Sequence, residues 1–74
     1  MTATTLDTSG LRCPLPVLRA RKAMKSLASG DVLEVQATDP DSQQDFRAFC
    51  ETTGYELLED RVEGEVFVFR IRKT

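Results

Sequence analysis

TTLDTSGLRCPLPVLRARKAMKSLASGDVLEVQAT, residues 4–38, changes its hydrophobic period twice. Thr4 to Thr8 is a short β-prone run that ends at Ser9-Gly10. Cys13-Pro14-Leu15-Pro16 then opens a helical pattern that runs to Ser29. Proline suits the first turn of a helix, where its missing N–H would have no partner anyway. Val17, Ala20, Met24 and Leu27 follow i, i+3, i+7, i+10 and form one apolar face. Gly30 suits the position just past the helix end. Val32 to Thr38 alternates, with Leu33, Val35 and Ala37 on one side and Glu34 and Gln36 on the other, as in a half-buried strand.

Asp39-Pro40-Asp41-Ser42 offers several N-cap candidates for a second helix. Its core stripe is expected to be Phe46, Phe49, Cys50 and Thr53, ending at Gly54. Tyr55 to Val62 and Val66 to Arg72 read as two strands joined in a hairpin around Glu63-Gly64-Glu65. The last strand sets Phe67, Phe69 and Ile71 on one face, and Val66, Val68, Arg70 and Arg72 on the other. The order is β-α-β-α-β-β. Two helices cover one face of a four-stranded sheet better than both, so the expected class is α+β, a two-layer α/β sandwich. Right-handed crossovers make the first three strands parallel, and the hairpin makes the sheet mixed. Residues 1–74 are expected to form a single domain.

Composition excludes several function classes. The 74 residues include no histidine, so a Ser-His-Asp triad, a Cys-His dyad and an imidazole metal site are ruled out. Two cysteines, Cys13 and Cys50, cannot supply the four ligands of a structural zinc site. No metal and no cofactor is expected. The first ten residues hold no Lys or Arg and no hydrophobic block, and no apolar run is long enough for a membrane span. The expectation is a cytoplasmic chain with free thiols and no membrane partner. The net charge of −2 hides an asymmetry: residues 1–30 balance to +4, residues 31–65 to −9 and the tail to +3. The overall acidity speaks against nonspecific nucleic-acid binding.

Chemistry therefore falls to a thiol. Cys13, just before Pro14, is expected at the N-cap of the first helix, where Ser, Thr, Asp or Asn would serve a purely structural end better. A thiol placed there is expected to titrate low, since a helix N-terminus favours the thiolate and Arg12 stands beside it. Pro14 and Pro16 fix φ and remove N–H donors, so the sulfur is expected to be exposed on a rigid mount. Leu15, Leu18, Arg19 and Lys22 fall opposite the core stripe of that helix, a candidate docking surface beside the thiol. Cys50 shares the apolar stripe of the second helix and is expected to be a buried core thiol.

Leu6-Asp7, Gly10-Leu11, Cys13-Pro14-Leu15-Pro16 and the later Asp39-Pro40 resemble the TusA/SirA-like family of small sulfur carriers. The resemblance runs from about Leu6 to Lys73. It implies the two-layer fold with sheet order 1-2-4-3, and a motif cysteine, here Cys13, that accepts sulfane sulfur as a persulfide. Gly10, Arg12, Pro14 and Pro16 are the residues that support the motif. The implied donors are a cysteine desulfurase or a rhodanese. The implied acceptor is a downstream protein of the DsrE/TusD-like kind. Family uses include 2-thiouridine in tRNA, molybdenum cofactor synthesis and sulfur oxidation. Members serving tRNA thiolation typically carry Glu between the two prolines. This chain carries Leu15, which leaves sulfur oxidation or general sulfur trafficking open.

Two other classes compete with a sulfur carrier. One is a nucleic-acid-binding or regulatory module, supported by Arg70, Arg72 and Lys73 but opposed by the acidity and by the lack of interleaved aromatic and basic residues. The other is a disulfide redox protein using Cys13 and Cys50, weakened by the absence of a Cys-x-x-Cys pair.

Overall fold

The computed structural model describes residues 3–74. Period-two alternation produces four strands: β1 (Ala3–Thr8), β2 (Val32–Ala37), β3 (Glu56–Glu63) and β4 (Val66–Arg72). The two segments of helical period become α1 (Leu15–Lys25) and α2 (Ser42–Thr53). The strands form one sheet of order β1-β2-β4-β3, in which β1 pairs parallel with β2, while β4 is antiparallel to both β2 and β3. This is the two-layer α+β arrangement expected from the sequence.

The core lies between the helices and one face of the sheet. Leu33 and Val35 from β2, Phe69 and Ile71 from β4, Ala20 and Met24 from α1, and Phe46 from α2 are all fully buried. The Phe46 and Phe69 rings stack with centroids 4.6 Å apart, joining α2 to the central strand β4. Cys50 is buried beside them, as expected. Thr53 is not a core residue. It is exposed, and its hydroxyl donates back to the Phe49 carbonyl at 2.8 Å.

Helix α1 departs from the sequence reading at both ends. Pro14, not Cys13, is its N-cap residue, and Leu15 is its first helical residue. The Cys13–Pro14 peptide bond is cis. The helix stops at Lys25, five residues before Gly30, because the Ser26 and Leu27 N–H groups turn back to the Ala23 and Met24 carbonyls at 3.2 and 3.1 Å. Lys73 completes that end: its ammonium donates to the carbonyls of Met24 and Leu27 at 2.8 and 2.7 Å. A cation on the last carbonyls of a helix satisfies orphan acceptors and complements the helix dipole. Pro16, read only as a rigid mount, is also buried, on the same face as Ala20 and Met24.

Helix α2 ends at Gly54, whose φ of +81° is open to glycine without strain. The β3–β4 hairpin closes through Gly64-Glu65, with Glu63 opposite Val66 and Gly64 at φ +61°. Glycine at the first central position of a two-residue loop matches the right-handed twist of the flanking strands. A register shift between Leu57 and Glu59 leaves Leu58 unpaired and exposed. Arg72 pairs with Glu56, Arg61 with Glu59 and Glu63, and Arg70 faces Glu34 at 4.0 Å. The basic tail is thus matched by acids and helix carbonyls of its own chain.

Removing the ring that links the layers should be costly. Phe46→Ala deletes a fully buried aromatic, and such truncations cost about 3–5 kcal/mol. In so small a domain that is a large share of total stability. Urea denaturation followed by circular dichroism should show a markedly lower midpoint. An unchanged midpoint would show that the Phe46–Phe69 stack does not hold the layers together.

Candidate functional site

The parallel pairing of β1 with β2 brings Thr8 opposite Ala37, so the loops that follow these strands leave the sheet side by side. Crevices beyond the carboxyl ends of parallel strands are where α/β folds place their sites. One turn shapes the first loop, and two contacts tie it to the second. The Leu11 N–H closes a turn on the Thr8 carbonyl at 3.1 Å. The Gly10 N–H donates to Thr38 Oγ1 at 2.8 Å, with Gly10 at φ +82°. The Cys13 N–H donates to Asp39 Oδ2 at 2.9 Å.

Asp39 is buried and serves both loops. Its carboxylate holds Cys13, and its carbonyl accepts the Ser42 N–H at 3.0 Å and the Ser42 hydroxyl at the start of α2. Beyond Cys13, the Leu15 N–H donates to the Arg12 carbonyl at 2.8 Å and the Leu18 N–H to the Pro14 carbonyl at 3.1 Å. The Gly10, Leu11, Cys13, Leu15 and Leu18 N–H groups are therefore turned inward or along the chain, while the Cys13 side chain is exposed.

The thiol does not titrate low, contrary to the expectation from a helix N-terminus. It is pushed up from 9.0 to about 11. The largest cause is its hydrogen bond to the Asp45 carboxylate, followed by desolvation and by the charges of Asp45, Asp39 and Asp41. The physical reason is placement. Cys13 precedes the N-cap, and Pro14 and Pro16 have no N–H to offer, so no helix donors converge on the sulfur. The acids of the α2 N-terminus face it instead. Carboxylates beside a thiol disfavour its anion. Arg12 is exposed and is not among the groups that set this value.

The Cys13 sulfur and the carboxylates of Asp39 and Asp45 place one atom each within 4.8 Å of one another. One soft sulfur with two hard oxygens matches no common structural metal site. Cys13 borders two hollows. One, of about 540 Å³, runs along Gly10, Arg12, Thr38, Asp39 and Asp41. The other, of about 270 Å³, lies between the helices along Pro14, Val17, Arg21, Asp45 and Phe49. A third hollow, of about 840 Å³, gathers Leu15, Leu18, Arg19 and Lys22 with Leu6 of the edge strand β1. The four residues read from sequence as one outer face of α1 thus line one surface. Leu15 and Leu18 are 43% and 51% exposed. Cys50 is a free, buried thiol, raised to about 11 by desolvation.

Sequence reading missed Thr38, Asp41 and Asp45 as parts of the site. Its one available signal was Asp39-Pro40-Asp41-Ser42, read as helix capping and, through Asp39-Pro40, as part of the family resemblance.

An exposed thiol mounted at the mouth of a two-layer β-α-β-α-β-β sandwich defines the class of small cysteine-bearing carrier domains. The sulfurtransferase TusA family model matches residues 4–73, and the chain belongs to that family. It is 55% identical over 69 residues to the sulfur carrier protein TusA of Allochromatium vinosum, covering 93% of this chain and 91% of that protein. It is 47% identical over 72 residues to a putative sulfur carrier protein of Neisseria meningitidis, covering 97% of each. A SirA-like protein from Desulfitobacterium hafniense has a crystal structure that superposes with a TM-score of 0.82 at 32% identity, covering 93% of this chain and 95% of that one. Likeness of this extent supports a sulfur-carrier function. Among the described residues no helix is long and apolar enough to cross a membrane.

The raised thiols have a measurable signature. In a Cys50→Ser background, the alkylation rate of Cys13 should keep climbing with pH until about 11. A plateau near neutrality would contradict the acidic setting. The folded protein also holds protons on both thiols that the unfolded chain releases at lower pH. That contribution to stability is complete below about pH 9 and is lost as pH rises through about 11. Denaturation midpoints should fall across that window.

Proposed function

We propose that this protein, acting as one domain over residues 1–74, carries sulfane sulfur as a persulfide on Cys13. The donor is a cysteine desulfurase or a rhodanese, and the acceptor is a protein of the DsrE/TusD-like kind. The observation that supports this most is the exposed thiol of Cys13, whose backbone N–H donates to Asp39 at the carboxyl ends of a parallel strand pair, in a chain of the TusA family. Two free thiols suit a reducing, cytoplasmic setting. Gly10 and Pro14 shape the loop that presents the sulfur, and Pro16 anchors it to the core.

Persulfide exchange needs no metal and no net oxidation. The Cys13 sulfur attacks the outer sulfur of the donor persulfide and forms a new S–S bond. The donor's own S–S bond breaks, and its thiolate leaves and takes up the proton lost by Cys13. Delivery reverses the roles, with the acceptor's thiolate attacking the outer sulfur on Cys13.

Docking is assigned to the outer face of α1. Leu15 and Leu18 supply apolar area beside the thiol, and Arg19 and Lys22 suit an acidic partner. Such charges speed encounter more than they tighten a complex.

Incubating the protein with a sulfane-sulfur donor should add sulfur to the intact mass. The adduct should vanish in Cys13→Ser and persist in Cys50→Ser. An adduct that maps to Cys50 sinks the assignment.

Leu18→Asp combined with Lys22→Glu should leave circular dichroism and loading by a small inorganic donor unchanged. Protein-to-protein sulfur transfer should fall, and the remaining rate should lose its salt dependence. Transfer at the wild-type rate would move the docking surface elsewhere.

A further inference from the structure

Cys13 stands on the border of two charge fields. Arg19 and Lys22 line the hollow on the outer side of α1. On the other side, Asp45 reaches from the first turn of α2 and Asp39 from the turn before it, each with an oxygen within 4.8 Å of the sulfur. Asp41 adds its charge from the α2 N-cap position. Two cations are near. Arg12 is the chain neighbour, and Arg21 lines the inter-helix groove with Cys13 and Asp45. The Arg21 guanidinium carbon lies 5.7 Å from the centre of the Phe49 ring. Neither cation is among the groups that set the state of the thiol, which is pushed up to about 11.

The roles of the acids differ. The Asp39 carboxylate already accepts the Cys13 N–H, so its first task is to hold the loop. Asp45 faces the sulfur itself, with a carboxylate oxygen within 4.8 Å of it, and is the largest cause of the raised thiol. Nucleophilic attack requires the thiolate, and a neighbouring carboxylate opposes its formation. An exposed thiol with this neighbour is accessible but slow to react.

We propose that Asp45 is a positioning residue that gates Cys13, holding the free thiol protonated until a docked sulfur donor sets a cationic group against the Asp39–Asp41–Asp45 rim. This rests on Cys13 being the residue that carries sulfur. The donor is then a two-signed surface. Its acidic part meets Arg19 and Lys22 on α1, and a Lys or Arg beside its own reactive cysteine meets the rim. Once that cation neutralises the rim, Cys13 gives up its proton and attacks the outer sulfur of the donor persulfide. The donor S–S bond breaks, the donor thiolate leaves, and it takes the proton. The products are the Cys13 persulfide and the donor thiol, with no other reactant consumed. In the loaded state the inner sulfur has no proton to give Asp45, and the outer sulfur stands about 2.05 Å farther out.

The test uses the full chain carrying Cys50→Ser, with Asp45→Asn or Asp41→Asn added. Alkylation by neutral iodoacetamide is followed as a function of pH. Asp45→Asn should move the profile down by about one unit or more, a gain of about tenfold at neutral pH. Asp41→Asn should move it the same way by less. A second arm compares two disulfides, dicationic cystamine and dianionic 3,3′-dithiodipropionate. The parent should react faster with cystamine, and Asp45→Asn should erase much of that preference. An unshifted pH profile in a folded Asp45→Asn protein overturns the gate. Equal rates with the two disulfides in the parent overturn the cationic trigger. If Asp45→Asn does not fold, the profile of Asp41→Asn, whose side chain is exposed and makes no hydrogen bond, decides alone. None of these readouts involves a persulfide, so failure here leaves the intact-mass test of Cys13 loading standing on its own.

Discussion

The position of the exposed Cys13 sulfur depends on one hydrogen bond between residues 26 apart in the chain, from the Cys13 N–H to the Asp39 carboxylate. Without it the loop that leaves β1 would keep only the Gly10 contact to Thr38 and its own turn. Cys13 would also hold a backbone donor with no protein partner. The same Asp39 receives Ser42 at the head of α2, so one residue sets both the thiol-bearing loop and the start of the helix that supplies Asp45. The parallel pairing of β1 and β2 makes this possible, because it delivers both loops to the same edge of the sheet.

That geometry inverts the electrostatics suggested by chain order. Along the sequence, Cys13 sits in the basic segment, next to Arg12 and a few residues before Arg19, Arg21 and Lys22. In space, the charges that act on the thiol are carboxylates of the acidic segment. Arg19 and Lys22 turn outward along α1 and Arg21 lies in the inter-helix groove, while the thiol turns toward α2. The result is a sulfur with attraction for an acidic surface on one flank and for a cation on the other. A thiolate stabilised by a helix N-terminus would need neither partner to become reactive. Here the two prolines withhold the donors that such stabilisation requires.

The fold was legible because its signals are local. Alternation in Val32–Ala37 and Val66–Arg72, the stripe of Phe46, Phe49 and Cys50, and Gly54 and Gly64 at their turns all mark element type through side-chain period or backbone freedom. The thiol itself and the outward face of Leu15, Leu18, Arg19 and Lys22 were legible for the same reason. The ends of α1 were not. Its N-terminus is set by Pro14 rather than by the residue before it, and its C-terminus by Lys73 from the far end of the chain. The acid rim was also hidden, because Asp39, Asp41 and Asp45 look like ordinary helix-starting residues until tertiary structure folds them over Cys13.

A carrier must be both loaded and emptied through the same sulfur, and these tasks pull in opposite directions. In thiol–disulfide and persulfide exchange, a low-pKa thiol leaves quickly, so a carrier built on one would surrender its cargo to any small thiol it met. A high-pKa thiol is a poor leaving group and keeps its cargo, but it is rarely ionised and loads slowly. The Asp45 setting places Cys13 in the second regime. Fast transfer in either direction then has to come from the partner, which can offset the rim charge only while it is docked. If Cys13 carries the sulfur as proposed, the exposed thiol, the lack of nearby donors and the facing carboxylates form one solution, in which sulfur would be retained between encounters and exchanged within them.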